Sequence, residues 1–477
     1  MFFYLKQPWC LRGYQKDLML LEKSGELELP YRLTYPLFDL LNKCDGVTDI
    51  EIEEGSRQEQ VIKKYMEMGV LEKTNKPKEI ETWQKYKHFD NRRIPRGFFS
   101  VTGRCNLNCI HCFSATEYGK VPFEFSFDQI TYILDQYKDC GIRKLTITGG
   151  EPLLRSDFTD IIKAMADRNM EMFRLYTNGM FLDERIVKSL KENSLNPQIV
   201  ISFDGVGTHD WIRNYKGAQK KAEESIAFAL DSGFEVKANV NVNSKTAERL
   251  PETAHYLYDL GIRSIFFIRT SEGPKWIRSG YGSLSAEDYW TVMLEVMSSI
   301  RQENKKDLEI VWFNGPTLTK GITAEALKSG SPYRYESEDI KNSAWCFKAI
   351  NDLYVSSTGM VFPCDGCEGV ALQTGWLGEN SNILKRPLRD IINDSHYSEI
   401  MRMTAEEVIE HSKDCKGCDW EERCHGGNCR VCGMLYKAVA NGYTFENCDI
   451  DIKLPAPLTC TFYKKGYYEK LLKILEE

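Results

Sequence analysis

Three cysteines spaced Cys105-x3-Cys109-x2-Cys112 stand just after a run that reads as a strand. A 4Fe–4S cluster has four irons to ligate, and three thiolates hold only three of them. The remaining iron is open to a small molecule. A structural cluster or a structural zinc normally closes its shell with a fourth protein ligand. The spacing therefore points to chemistry at the metal. Ten more cysteines follow residue 345, while Cys10, Cys44 and Cys140 stand alone and read as buried thiols.

A chain of 477 residues has room for two or three domains. Its net charge of −7 disfavours a general binder of nucleic-acid polyanions. The N-terminus lacks a secretory pattern of basic residues, apolar core and small-residue cleavage site. No apolar run approaches the roughly 18 residues a membrane span needs. The expectation is a cytoplasmic protein with neither nucleic acid nor membrane as partner. Sixteen cysteines in such a compartment mean metal before disulfides.

The elements that must hold these residues alternate. Six β-rich stretches cover 98–102, 144–148, 171–177, 198–203, 235–242 and 264–269, with amphipathic stretches between them. Such alternation predicts an α/β fold with a parallel sheet of βαβ units. Six repeats without a return strand favour a partial (β/α)6 TIM-like barrel. In such barrels chemistry gathers at the carboxyl ends of the strands. The unusual residues fall there: the cysteine loop after strand one and Gly149-Gly150-Glu151-Pro152 after strand two. Asn178-Gly179 follows strand three, Ser202 and Asp204 end strand four, Asn239 and Asn241 lie in strand five, and Arg269 ends strand six. Each Asn-Gly or Asp-Gly alone is a simple turn; six polar clusters on one rim are a site.

Cys105-Asn-Leu-Asn-Cys109-Ile-His-Cys112 resembles the signature of the radical S-adenosylmethionine (SAM) superfamily, and Thr148-Gly-Gly-Glu151-Pro152 resembles its second motif. The resemblance implies that SAM chelates the open iron, that an electron from the cluster splits its C–S bond, and that the 5′-deoxyadenosyl radical abstracts a hydrogen. In that role Gly149 and Gly150 let backbone approach the methionine part. Glu151 accepts a charge-assisted bond from the SAM ammonium. Ser202 and Asp204 are polar enough for ribose hydroxyls or the sulfonium. Arg213 can pair with the SAM carboxylate in a bidentate way. His111 occupies the slot of an aromatic contact to adenine, a task Phe113 can share. Asn178 and Asn239 complete the candidate cofactor-binding set. The plainer reading of Ser202, Asp204 and Arg213 is strand-end capping and surface pairing.

The C-terminal cysteines resemble the SPASM extension found on part of that superfamily. Cys346, Gly359 and Cys364 match its opening, Cys415-x2-Cys418-x5-Cys424 its central run, and Cys429 or Cys432 with Cys448 its close. The resemblance implies one or two auxiliary 4Fe–4S clusters. Cys415, Cys418, Cys424 and Cys448 would hold the outer one. Cys346, Cys364 and Cys429 would hold the inner one, with Cys367 a candidate fourth ligand. The interval Cys424-x4-Cys429 is one residue longer than usual, and Cys367, Cys432 and Cys460 are extra, so two of ten cysteines are left over. Two Cys-x2-Cys pairs are also compatible with a zinc ribbon.

Residues 1–75 read as a winged-helix-like domain of strands followed by helices, and 76–97 as a charged linker. The barrel is expected over 98–320 and the cysteine-rich Fe–S domain over 321–477. Leu41-x3-Asp45-Gly46 and Gly69-Val70-Leu71 resemble the peptide-recognition domain related to the pyrroloquinoline quinone biosynthesis chaperone. That implies leader-peptide binding by strand addition, with the edge at Leu27, Glu28 and Leu29 and a helix over 57–68 as the opposite wall. A winged helix also suits a DNA-binding regulator, but the basic residues are too few and scattered.

Together the regions resemble maturases of ribosomally made, post-translationally modified peptides. The expectation is hydrogen abstraction from a precursor peptide bearing a leader, with a thioether as the first choice of new bond and a carbon–carbon or carbon–oxygen crosslink as the second. A flavodoxin- or ferredoxin-type protein would donate the electron. The rivals are a sulfatase-type maturase that oxidises a single residue and a redox-responsive regulator.

Overall fold

A computed structural model describes residues 1–15, 17–23, 30–112, 123–271, 274–312, 317–329, 351–368, 381–393, 403–424 and 456–477. Two compact units divide them: Met1–Arg93 with Asp139–Gly141, and Ile94–Lys138 with Ile142–Glu477.

In the first unit, β1 (Phe2–Leu5) pairs antiparallel with β5 (Leu71–Thr74). A second sheet runs in the order β4 (Tyr31–Arg32), β3 (Leu18–Lys23), β2 (Trp9–Tyr14), β6 (Lys87–His88). Helix α1 (Tyr35–Lys43) starts with proline in its first turn, where the missing N–H costs nothing. Helix α2 (Arg57–Glu67) starts at Ser56, whose side chain accepts from the Glu59 N–H. Leu40 and Leu41 from α1 and Ile62 and Tyr65 from α2 close a core over Phe3, Leu5, Leu11 and Leu21. Sequence periodicity misses β2 because all six of its residues are buried and nothing alternates. Its buried Arg12 is satisfied by the carbonyls of Trp83 and Lys85. Gln84 likewise donates to the carbonyls of Leu5 and Trp9, both at 3.0 Å. The charged stretch 76–93 thus packs into this unit through backbone bonds, which composition does not register. Leu27, Glu28 and Leu29 lie outside the described residues.

The second unit is built on a parallel wall. β7 (Arg96–Ser100), β8 (Lys144–Thr148), β9 (Glu171–Thr177), β10 (Gln198–Ser202), β11 (Val236–Val242), β12 (Ser264–Arg269) and β13 (Glu309–Trp312) pair in chain order, all parallel. Helices α3 (Phe127–Asp139), α4 (Phe158–Asp167), α5 (Glu184–Glu192), α6 (His209–Arg213), α7 (Ala218–Asp231) and α8 (Leu250–Asp259) fill the crossovers up to β12. This is the partial β/α barrel, with two corrections. A seventh parallel strand, β13, extends the expected six, and β15 (Asp352–Val355) adds parallel to β7 on the other side. Short antiparallel strands, β14 (Thr317–Leu318) and β16 (Val361–Phe362), end the sheet. Strands of two to four residues are too short to show a period.

Ile161, Ile162 and Met165 of α4 and Ile130, Ile133 and Leu134 of α3 are buried, as are strand residues such as Leu145, Ile147 and Leu175. The terminal helices Pro457–Lys464 and Tyr467–Glu476 pack on α9 (Ala286–Gln302). There the Trp290 indole N–H donates to the Leu458 carbonyl at 2.7 Å and stacks at a tilt on Phe462. No described helix is long and apolar enough to cross a membrane.

Candidate functional site

The cysteine loop leaves the carboxyl end of β7 and is stitched to its neighbours by backbone. Gly103 N donates to the Phe123 carbonyl at 2.8 Å, and Glu124 accepts from the Thr102 hydroxyl and the Arg104 guanidinium. From the loop after β8, Gly150 N reaches the Thr102 carbonyl at 2.7 Å and Glu151 N the Arg104 carbonyl at 2.8 Å. A Cβ on Gly150 would lie 2.2 Å from the Arg104 oxygen, and one on Gly149 2.6 Å from the Thr102 oxygen. The backbone that crowds them is that of the cysteine loop itself.

Glu151 is buried, and its carboxylate is a junction. One oxygen accepts from the Thr177 hydroxyl at 2.8 Å and the Leu153 N–H at 3.1 Å, the other from the Asn178 N–H at 2.8 Å. Asn178 carries the link onward, donating its side-chain amide to Asn106 inside the cysteine loop at 2.9 Å. Burial raises the Glu151 carboxyl from 4.5 to about 7, against these three hydrogen bonds. Loops after β8 and β9 are thus tied to the cysteines through one side chain.

Asp204, just past β10, is 1% exposed. Its Oδ2 accepts from Arg213 Nε at 2.6 Å and its Oδ1 from the Asn241 N–H at 3.0 Å. Arg213, 9% exposed at the end of α6, extends Nη1 to 3.7 Å from Cys109 Sγ. Burial pushes the Asp204 carboxyl up, but the Arg213 guanidinium pulls it well below the carboxylate range. Asp204 and Arg213 are therefore partners of each other in the structure. Ser202, in register with Asn239, is half-buried at the strand end, and Asn239 Oδ1 is enclosed with no protein partner. His111 Nδ1 is also enclosed without a partner, and loss of solvent lowers its pKa to about 4, so the ring is neutral. Phe113 lies outside the described residues.

Among the described residues no three His, Cys, Asp or Glu side chains converge on a single metal ion. A cubane asks for a different arrangement, with each thiolate on its own iron. Cys105 is exposed, Cys112 half-buried and Cys109 buried, on one loop whose backbone is held from both sides. That donor set fits a three-cysteine cluster site. The enclosed, unpaired His111 and Asn239 atoms beside it fit a polar cofactor.

In the C-terminal region Cys364 and Cys367 have their sulfurs 3.5 Å apart. Beside them Glu368 accepts from the Tyr354 hydroxyl at 2.7 Å, and burial raises its carboxyl to about 7. Cys346, Cys429, Cys432 and Cys448 lie outside the described residues. Cys415, Cys418 and Cys424 line one pocket, and a fourth cysteine lines it with them: Cys460, from the helix Pro457–Lys464. Sequence reasoning set Cys460 aside as extra. It lies 36 positions beyond Cys424, and no local spacing signals the meeting.

Residues 99–267 match the radical SAM superfamily, and residues 346–419 match the SPASM iron-sulfur cluster-binding domain. AdoMet-dependent heme synthase of Methanosarcina barkeri is 25% identical over 331 residues, 67% of this chain and 89% of that protein. A probable GTP 3′,8-cyclase of Methanococcus maripaludis is 31% identical over 178 residues, 36% of this chain and 57% of that protein. Among solved structures, Streptococcus suis SuiB bound to its precursor peptide SuiA superposes with a TM-score of 0.62 at 16% identity, over 94% of this chain and 100% of that one. Native anSMEcpe with AdoMet and a Cp18Cys peptide does so with a TM-score of 0.58 at 20% identity, over 80% of this chain and 98% of that one. At these identities the structural likeness is one of fold.

Proposed function

We propose that this radical SAM/SPASM enzyme acts on a ribosomally made precursor peptide and forms a thioether, or failing that a carbon–carbon or carbon–oxygen crosslink, in its core. The observation that carries the reading is the stitched mouth of the barrel: Cys105, Cys109 and Cys112 held against Gly150 and Glu151, with Asn178 bridging. When bound, a 4Fe–4S cluster on the triad supplies the electron that splits SAM, and auxiliary clusters supply an acceptor for the electron left over.

The chain's own residues do the holding. Glu151 offers the negative charge for the SAM ammonium, and His111, Ser202 and Asn239 offer polar contacts around the nucleoside. Cys415, Cys418, Cys424 and Cys460 are our ligand set for the outer auxiliary cluster, with Cys460 in the place first given to Cys448. The peptide leader adds to the first unit. Among the described residues strand β4 ends the four-stranded sheet there, with both residues exposed, and a sheet edge is what strand addition needs. The likeness to SuiB, solved with its precursor peptide, extends over 94% of the chain, against 80% for anSMEcpe.

A second reading rests on the relatives. Proteins named heme synthase and Fe-coproporphyrin III synthase align over 67% and 72% of the chain, which favours a tetrapyrrole. One anaerobic experiment separates the readings. Enzyme, SAM and dithionite are incubated with a leader-bearing peptide, its leaderless core, or Fe-coproporphyrin. The peptide reading expects a product two hydrogens lighter from the leader-bearing peptide and a kcat/KM at least about tenfold lower without the leader, the equivalent of about 1.4 kcal/mol. Leader-independent oxidation of one residue would favour the sulfatase-type maturase. Turnover of the porphyrin alone would replace the peptide reading.

A further inference from the structure

We propose that Arg213 is a positioning residue that sets the reduction potential of the cluster held by Cys109, by donating a hydrogen bond to that ligand's sulfur, with Asp204 aiming it. The inference rests on reading Cys105, Cys109 and Cys112 as cluster ligands.

Four observations fix the geometry. Arg213 Nη1 lies 3.7 Å from Cys109 Sγ, within reach for a sulfur acceptor. Its Nε is held 2.6 Å from Asp204 Oδ2, so the guanidinium plane is pinned at one edge while another N–H points at the sulfur. The backbone clamps the pair, because Ile110 N donates to the Ile212 carbonyl at 2.8 Å, one residue from each partner. Asp204 is itself held by further bonds. Its Oδ1 accepts from Asn241 N, and its own N–H donates to His209 Nδ1 at 2.9 Å. That last bond makes Nδ1 an acceptor, and burial keeps His209 neutral, which leaves Arg213 as the fixed cation facing Asp204.

A donor to a ligating sulfur withdraws electron density from it. One-electron reduction adds a negative charge to a cluster, and the N–H bond stabilises the more negative state most. Arg213 thus makes the cluster easier to reduce. Among the other described hydrogen bonds to the triad, Leu107 N donates to Cys105 Sγ at 3.4 Å from within the loop. A backbone donor belongs to the loop's own turn; the guanidinium arrives from another element with its counter-ion. The contact therefore links α6 to the Cys109 sulfur.

The test is an EPR-monitored redox titration of the reconstituted full-length enzyme before SAM is added, comparing wild type with Arg213→Gln and Arg213→Lys. The first-site signal is the one that changes when SAM is then supplied. The expected result is wild-type iron content with a potential moved to more negative values in Arg213→Gln, and a smaller move in Arg213→Lys, which keeps a charge but not the fork. If Arg213 serves the SAM carboxylate instead, SAM binding weakens while the SAM-free potential stays at the wild-type value, and the proposal fails. It fails equally if both variants lose the first cluster, because a tuning donor does not hold the metal. Failure of the ligand reading itself is distinguishable: a Cys109→Ala variant would then keep the SAM-responsive signal.

Discussion

The two cysteine regions of this molecule are built by opposite means. At the barrel mouth, Cys105, Cys109 and Cys112 sit within eight residues, and neighbouring loops buttress a set that the local sequence already groups. In the C-terminal region, Cys415, Cys418 and Cys424 are local, but the pocket is shared with Cys460 from a helix that arrives after a long excursion. On our ligand reading, three thiolates at the mouth leave one iron of a cubane open. On the same reading Cys460 closes the second. An open site and a closed site can therefore be told apart by whether the fold delivers a fourth sulfur.

That contrast breaks most sharply if the mouth triad is removed. Replacing Cys105, Cys109 and Cys112 together with alanine should abolish 5′-deoxyadenosine formation to background by chromatography, while iron at the C-terminal region stays bound. Retained SAM cleavage would sink the assignment.

The next largest effect should come from the closed site. Cys460→Ala is expected to lower the iron and sulfide content, by at most one cluster of about four irons and four sulfides per chain, with SAM cleavage by the first site retained. If Cys448→Ala shows that loss and Cys460→Ala does not, the pocket is not the ligand set.

A smaller effect tests the buttress. Gly150→Ala places a Cβ 2.2 Å from the Arg104 oxygen. Overpacking of this kind costs about 1–3 kcal/mol, and here the cysteine loop is what must yield. Reduced iron retention at the first site, at unchanged occupancy of the C-terminal region, is the expected outcome; equal loss at both would mean general unfolding.

The gentlest test is pH. Glu151 has to be charged to attract an ammonium, and burial holds its carboxyl near 7 in the folded chain. SAM affinity, read by calorimetry, should rise by up to about tenfold per unit as pH climbs toward 7 and level off above it, and Glu151→Gln should flatten that profile. Linkage gives the accompanying sign for stability. The folded carboxyl binds a proton between the ordinary 4.5 and about 7 that the unfolded one has released. Its contribution to stability is full below 4.5 and is lost as pH rises through 7.

The sequence made the mouth of the barrel legible because its signals are local. A strand of 144–148 followed by Gly149-Gly150-Glu151, or one of 198–203 followed by Asp204, is read from adjacent residues, and β/α alternation then puts both on one rim. What those residues face is not a local signal. Asp204 and Arg213 are nine positions apart and were assigned separate duties, yet α6 turns the arginine back onto the carboxylate. Strand β2 was missed for want of alternation, and β13 to β16 for want of length. Leu27 to Leu29, Phe113 and four of the C-terminal cysteines lie outside the described residues, so the structure adds nothing to their roles.

Residue type and short spacing, by themselves, determined the kind of chemistry here: thiols in threes, glycines beside an acid, and strands in the order that brings them together. The tertiary structure decided the partners. It delivered Cys460 to a pocket of three cysteines, turned Arg213 from solvent to Cys109, and used Gly150 to press two loops together. The reason is physical. Spacing along the chain constrains contacts over a turn or two, whereas contacts between distant segments depend on how apolar faces pack, and that is fixed only when the whole core closes.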